Sequence, residues 1–267
     1  MRWDWCSATV PDPPDAVLGA LLAGQDMADV VPTRGLYGYA RGAEVRRGDR
    51  VLARAFWGGV NGEDSTHVQA GGADAEWLVG LVRSSWPVHQ VSRLDVCEDW
   101  SHEGAWRRLS KLALRVAREW GVKTSTVGDW IEARDGRTLY LGAPTSYLRA
   151  RVYEKGKQLG TDPHWVRFEL QVRPSGQGKR ALSTVQPDQL MESSPWTRDL
   201  ARGLGMPELE AVRIRNPWVP SDDDHAMAWC LRQYGGLFER RARLLGGWNA
   251  LGEYLGAEVA RQRSRRH

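Results

Sequence analysis

Tyr153 stands in the run "RARVYEK", where the two-residue period of a strand puts Arg149, Arg151, Tyr153 and Lys155 on one face and Ala150 and Val152 on the other. A free phenol has a pKa of about 10, so using its oxygen as a nucleophile requires nearby positive charge or a metal. Arg151 and Lys155 are candidates for that charge. The same spacing also describes a solvated sheet face on which a tyrosine packs against arginine stems, so the run acquires chemical meaning only through partners elsewhere in the chain.

Two other segments offer partners. "WVRFELQVR" alternates, with Val166, Phe168, Leu170 and Val172 facing one way and Arg167, Glu169, Gln171 and Arg173 the other. "QVSRLDVCED" sends Leu94 and Val96 inward and Arg93, Asp95, Cys97 and Asp99 outward. If these strands share one sheet, Asp95, Glu169, Tyr153 and Lys155 converge on one surface. Asp99 lies about 13 Å along its strand from Asp95 at ~3.3 Å per residue, too far for both to grip one ion on a straight strand. Asp95 and Glu169 form a partial shell for Mg²⁺ or Mn²⁺, hard cations that also bind phosphate oxygens. The chemistry implied is phosphoryl transfer: Tyr153 attacks phosphorus in line, Lys155 steadies the developing charge, and Arg93, Arg149, Arg151, Arg167 and Arg173 hold the DNA backbone.

The elements needed to position these residues are legible in outline. "RWDWCSATV" alternates as a strand, and Pro14 opens a helix whose Val17, Leu18, Leu21 and Leu22 make an apolar stripe. Short strands are predicted at "GLYGYAR", "AEVRR", "RVLARAFWGGV" and "THVQAGG", followed by a helix at "ADAEWLVGLVRSSW". After the Asp95 strand, Ser101 is a candidate N-cap for a long amphipathic helix that Gly121 ends. Strands follow at "VKTSTV", "WIEAR", "TLYLG", "YLRARVYEKG" and "WVRFELQVR", with an Asp135-Gly136 turn before "TLYLG". No fixed-period repeat is present in the sequence. The expected fold is α+β: a curved, mainly antiparallel sheet built from two strand-helix halves, helices on one face, a polar DNA-facing side, and accessory C-terminal helices. The predicted organisation is a nicking core over 1–175, with halves of about 1–100 and 101–175, and a helical region over 176–267 ending in a basic tail.

Composition narrows the setting. A chain of 267 residues can bury a real core. Cys6, Cys97 and Cys230 are odd in number and widely spaced, which argues against a disulfide framework and for a reducing cytoplasm. No apolar run approaches membrane-spanning length, and the N-terminal segment lacks the hydrophobic stretch of a signal peptide. The net charge of +4 is mild, but "RQRSRRH" concentrates cations at the end of the chain. Fourteen tryptophans against three phenylalanines are unusual; most are expected in the core, and a few could stack on unpaired bases.

In order and separation, "SRLDVCED", "TLYLGAPTSYLRARVYEKGKQ" and "WVRFELQVR" resemble the replication initiation factor family. These are the trans-acting rolling-circle initiators of filamentous phages and small plasmids, related to relaxases of some conjugative elements. The matching positions are Arg93, Asp95, Thr138, Tyr140, Gly142, Ser146, Arg151, Tyr153, Lys155, Arg167 and Glu169. The resemblance implies an enzyme that recognises its replication origin, nicks one strand, stays attached to the 5′ end and frees a 3′ hydroxyl for the host polymerase. It implies a divalent metal, with Asp95 and Glu169 as ligands, Tyr153 as nucleophile and Lys155 as supporting cation. Origin DNA, single-stranded at the nick, and the host helicase and polymerase are the expected partners in a bacterial cytoplasm; homodimer formation stays open, and no membrane is involved. Departures are Glu154 after the tyrosine, Ala143 and Pro144 after Gly142, and Gln69 where many relatives carry glutamate. The metal shell is thus completed by Gln69, Asp99 or Glu154. The alternatives are a non-catalytic DNA-binding regulator, a conjugative relaxase and a nuclease that uses water.

Overall fold

The computed structural model describes residues 1–61, 64–132, 134–212, 214 and 222–264. Most of the "RNPWVPSDDD" connector and the last residues of the basic tail lie outside them. The chain divides into two compact units, Met1–Asn216 and Pro217–His267.

The first unit is one open, antiparallel, ten-stranded sheet assembled in two passes of the same plan. The first pass runs β1 (Arg2–Val10), α1 (Pro14–Leu22), then the meander β2 (Asp29–Arg34), β3 (Arg41–Arg47), β4 (Arg50–Trp57) and β5 (Thr66–Gly71). Then α2 (Ala75–Ser85) carries the chain to the second pass. That pass runs β6 (Gln90–Ser101), α3 (Ala105–Glu119), β7 (Thr124–Gly128), β8 (Arg137–Leu141), β9 (Leu148–Tyr153), α4 (Lys155–Leu159) and β10 (Trp165–Val172). In each pass the last strand folds back to pair with the first, and the two first strands pair with each other, giving the order β2-β3-β4-β5-β1-β6-β10-β9-β8-β7. The two-half α+β architecture read from the sequence is borne out. Its duplicated topology is not detectable as a sequence repeat, because pairing demands only alternation and not identity.

One face of the sheet is apolar. Cys6, Ala8, Val68, Leu94, Val96, Ala150, Val152, Phe168 and Leu170 form one buried cluster with Val17 and Leu21 of α1, Leu78 and Val82 of α2, and Leu109 and Val116 of α3. Residues beyond β10 join it, including Leu182 after α5 (Gly178–Ala181), Leu190 and Met191, and Leu200 and Ala201 of α6 (Pro195–Leu204). The second unit holds α7 (Asp222–Leu245) and α8 (Trp248–Ser264), separated at Gly246 and Gly247, both with positive φ.

Four local expectations are corrected. "GLYGYAR" is a connection and not a strand: β2 ends at Arg34, and Tyr37 and Gly38 take φ of 58° and 86°. The strand before it contains Pro32, which the outermost position of β2 tolerates. Within "WIEAR" the described residues form no strand: they bend around the Asp129 carboxylate, which accepts the backbone N–H groups of Ile131, Glu132 and Arg134. Ser101 belongs to β6, and Gly104, at φ 81°, is the residue that precedes α3. Lys155 opens α4 two residues past the end of its strand.

Phe168 is 2% exposed, on β10 between β6 and β9, beneath α3. Phe168→Ala should lower unfolding free energy by about 3–5 kcal/mol in a denaturant titration, the range for truncating a buried phenylalanine.

Candidate active site

Opposite the apolar face, β6, β10, β9 and β8 build a cavity of about 220 Å³ from Asp95, Glu169, Gln171, Tyr140 and four arginines: Arg93, Arg149, Arg151 and Arg173. The ladders place them. Gln171 pairs with Asp95 on one side and Arg149 on the other, Glu169 with Cys97 and Arg151, and Arg167 with Asp99 and Tyr153.

The two carboxylates predicted to work together share this cavity. Asp95 is 3% exposed and receives a two-pronged interaction from Arg93, Nε to Oδ1 at 2.8 Å and Nη2 to Oδ2. Gln171 Nε2 reaches Oδ2 at 3.4 Å. Glu169, equally buried, accepts the Tyr153 hydroxyl at 2.5 Å on Oε1 and Arg151 Nε at 2.5 Å on Oε2. Burial raises both carboxyls above their ordinary pKa, despite the opposing pull of the arginines.

Tyr153 is almost fully buried, its ring centroid 4.9 Å from Arg151 Cζ and 5.5 Å from Lys155 Nζ. The cations expected around the phenol are therefore present, and Lys155 reaches the ring from α4. Their effect on the proton is outweighed: burial, followed by the Glu169 charge, pushes the phenol well above its ordinary pKa against Arg151 and Arg167. The neutral phenol donates to Glu169, which is placed to take its proton.

The predicted DNA-holding arginines separate into two sets. Arg149 has a buried Nε without a hydrogen-bond partner, and its Cζ lies 4.0 Å from the Tyr140 ring centroid. Arg173 donates to the Pro144 carbonyl at 2.6 Å, and burial together with Arg93 and Arg149 lowers its pKa. A recess that crowds cations and leaves a guanidinium N–H unsatisfied suits an anion. Arg167 differs. It is buried, and donates from Nε and Nη2 to Asp99 at 2.8 and 2.9 Å and from Nη1 to Asp4 at 2.9 Å.

The remaining predicted residues lie apart. Asp99 accepts from Arg167, Arg2 and Trp165 Nε1. Gln69 lies on β5 in a neighbouring cavity. Glu154 is enclosed by Arg137, which donates backbone N, Nε and Nη2 at 2.8–2.9 Å, and by Lys157 at 3.0 Å. These bonds fasten the end of β9 to α4 and the start of β8. No group of three or more His, Cys, Asp or Glu side chains poised for a metal occurs among the described residues. Gln171 was not among the predicted site residues, although its alternation with Glu169 on one strand was available as a signal, and Tyr140, matched to the family pattern, joins the site through its pairing with Arg151.

Residues 112–183 match the family model described as replication initiation factor. The family resemblance is borne out. The matched span holds the C-terminal part of α3 and β7–β10, and with them Tyr153, Lys155 and Glu169; Asp95 and Gln69 precede it. Among solved structures, a rolling circle replication initiator protein from Geobacillus stearothermophilus superposes with a TM-score of 0.54 at 18% identity, covering 84% of this chain and 89% of that one. The chain has that protein's fold. The di-domain ARO/CYC StfQ from the steffimycin biosynthetic pathway gives a TM-score of 0.15 at 11% identity over 63% of this chain and 84% of that one, and carries no argument. No curated protein matches the sequence.

Burial works against ionisation of Asp99, but hydrogen bonds from Arg167, Arg2 and Trp165 prevail and hold it down at about 2. An unfolded aspartate titrates near 3.9. The folded state therefore gains stability from this group above about pH 4 and loses it as pH falls through about 2; such a shift corresponds to roughly 2.6 kcal/mol, which solvent screening of this half-buried group reduces to on the order of 1–2 kcal/mol. Asp99→Asn should be less stable than the wild type at pH 7, and the gap should close towards pH 2 in denaturant titrations across that range.

Proposed function

We propose that the protein is a rolling-circle replication initiator that nicks one strand of its origin through Tyr153. The observation that carries this reading is the hydrogen bond from the Tyr153 hydroxyl to Glu169, at the edge of a cationic cavity that also holds Asp95. A phosphodiester entering that cavity meets the side chain of Arg149, whose Nε lacks a protein partner, together with Arg93 and Arg173. Glu169 accepts the phenolic proton as the Tyr153 oxygen forms its bond to phosphorus. The bond from phosphorus to the 3′ oxygen breaks, and that oxygen takes up a proton from solvent water to become the free 3′ hydroxyl while Glu169 keeps the phenolic proton until it returns it to solvent. The protein remains joined to the 5′ phosphate. Arg151, bonded to Glu169 and packed on the Tyr153 ring, keeps acceptor and donor aligned.

The donor set suits a hard divalent cation. Asp95 and Glu169 are two carboxylates whose burial raises their pKa values against the pull of Arg93 and Arg151, and the Gln171 side chain lies beside Asp95. Asp95 and Glu169 would hold Mg²⁺ or Mn²⁺, which when bound would supply Lewis acidity for a phosphate oxygen and positive charge favouring the phenolate. Asp99 is committed to Arg167 and Gln69 lies in the neighbouring cavity, so Asp95 and Glu169 are the main ligands in this reading. Arg167, enclosed by Asp99 and Asp4, is assigned a structural task and not a DNA contact. Host helicase and polymerase act downstream on the freed 3′ end. No described helix is long and apolar enough to cross a membrane.

The test is incubation of the protein with Mn²⁺ or Mg²⁺ and a labelled single-stranded oligonucleotide carrying the origin of its replicon, followed by denaturing electrophoresis. A protease-sensitive covalent adduct is expected, absent in Tyr153→Phe. Cleavage without an adduct, unchanged by that substitution, would instead identify a nuclease that uses water; binding without cleavage would identify a regulator. In Glu169→Gln, adduct formation should slow about 10²–10⁴-fold, as for removal of a general base. The wild-type rate should rise with pH as Glu169 ionises, and Glu169→Gln should lose that limb.

A further inference from the structure

The duplicated plan of the sheet gives the candidate active site a counterpart in the first half. Aligning the two central ladders from their helix-proximal ends, with core residues kept on the core side, sets Val10–Thr66 on Trp100–Val166. Gln69 then occupies the place of Glu169. Because Gln69 pairs with Arg54 as Glu169 pairs with Arg151, and two residues further on β4 Phe56 pairs with His67 as Tyr153 pairs with Arg167, Phe56 stands where Tyr153 does. Phe56 is buried yet outside the core cluster, on the polar side like Tyr153. The first half thus has an amide where the second has a carboxylate, and a benzene ring where it has a phenol. It can neither deprotonate nor attack.

What it keeps is a cavity of about 410 Å³, within the ~300–1,000 Å³ range of small-molecule sites. Its walls are aromatic. Tyr39 stacks on His67 at 5.6 Å and 23°, and Tyr37 meets Phe56 edge-on at 5.8 Å. Trp5 lies against Gly71, where a Cβ would come within 2.6 Å of the ring, and Arg93 Cζ is 4.9 Å from the indole centroid. The Trp5 Nε1 is buried without a partner. Burial, and next the Lys179 charge, holds His67 down at about 4, so its ring is neutral at physiological pH. Tyr37 is 67% exposed and at φ 58°, a left-handed backbone that a bulky residue adopts only at a cost.

Charge borders this aromatic surface. Arg93 and Arg173 line both cavities, and Lys179 lines this one. Flat neutral rings, a free indole donor and the Gln69 amide, bordered by cations continuous with the phosphate seat next door, match one chemical object: an unstacked nucleobase on a single strand. We infer that this recess receives one unpaired base of the origin strand while a neighbouring phosphodiester lies in the Tyr153 cavity, making the first half of the sheet a base-reading subsite. The inference rests on the nicking function proposed above and adds to it the residues that read sequence, with Tyr39 and Trp5 stacking and Gln69 facing the base edge.

The experiment is equilibrium binding of the full chain, without divalent metal, to origin oligonucleotides that each carry one abasic site. In the wild type, a single abasic position should weaken binding by about 5- to 150-fold, the range for loss of one stacked base. Tyr39→Ala should weaken binding to the intact oligonucleotide by a similar factor and lose sensitivity to that position. Tyr39→Phe, which keeps the ring, should behave as wild type, and thermal unfolding of both variants checks that they fold. Equal affinity for every abasic oligonucleotide, or a sensitive position that persists in Tyr39→Ala, would overturn the inference, as would no binding at all. The adduct assay on Tyr153 separates the two ideas: adducts without a sensitive position sink the subsite alone, and a sensitive position without adducts sinks the nicking reading alone.

Discussion

The register of β10 between β6 and β9 governs the polar face, because side chains alternate across a sheet and a slip of one residue would turn each of them to the other side. With Glu169 opposite Arg151 and Gln171 opposite Asp95, two carboxylates from strands separated by many residues in sequence come to line one cavity. The same register buries Phe168 and Leu170 under the helices. A slip would therefore expose the core as well as scatter the site, which is why apolar alternation on one face can hold polar chemistry on the other.

Placing charged groups on a nearly closed surface costs solvation, and the fold offsets that cost unevenly. Around Arg167 the compensation is complete. Asp99 and Asp4 meet its donors, and Asp99 remains strongly acidic. Around Tyr153 it is incomplete: Asp95, Glu169 and the phenol are all raised by burial, and Arg149 carries an unsatisfied donor. One set of residues behaves as a rivet and the other as a site awaiting charge from outside, and the difference lies in how many partners each strand neighbour provides.

The two halves of the sheet share a plan and differ in side chains. Tyr153 and Glu169 in the second half correspond to Phe56 and Gln69 in the first, at matching ladder positions. The connection between β2 and β3 then covers the first-half position with Tyr37 and Tyr39. A phenol-carboxylate pair suits proton transfer, and a ring beside an amide suits stacking and hydrogen bonding. This division follows from side-chain chemistry on a common backbone.

Alternation in the sequence was enough to assign α+β class, the two strand-helix halves and the inward and outward faces of β6, β9 and β10, while the likeness of its motifs to a known family carried the resemblance through Arg93, Asp95, Tyr153 and Glu169. These are local properties, since period-two patterning and motif spacing are carried by consecutive residues. Strand order and pairing partners are not local, so only the tertiary structure decided that Asp95 and Glu169 share a cavity while Gln69 lies in another, that Arg167 is spent on Asp99 and Asp4, and that Lys155 reaches the phenol from a helix. Polar side chains commit to whichever neighbours the ladder supplies. "GLYGYAR" was misread for a related reason: its aromatic residues favour strands by composition, but the left-handed backbone at Tyr37 and Gly38 comes from the need to turn between β2 and β3 and lay two tyrosines over the polar face.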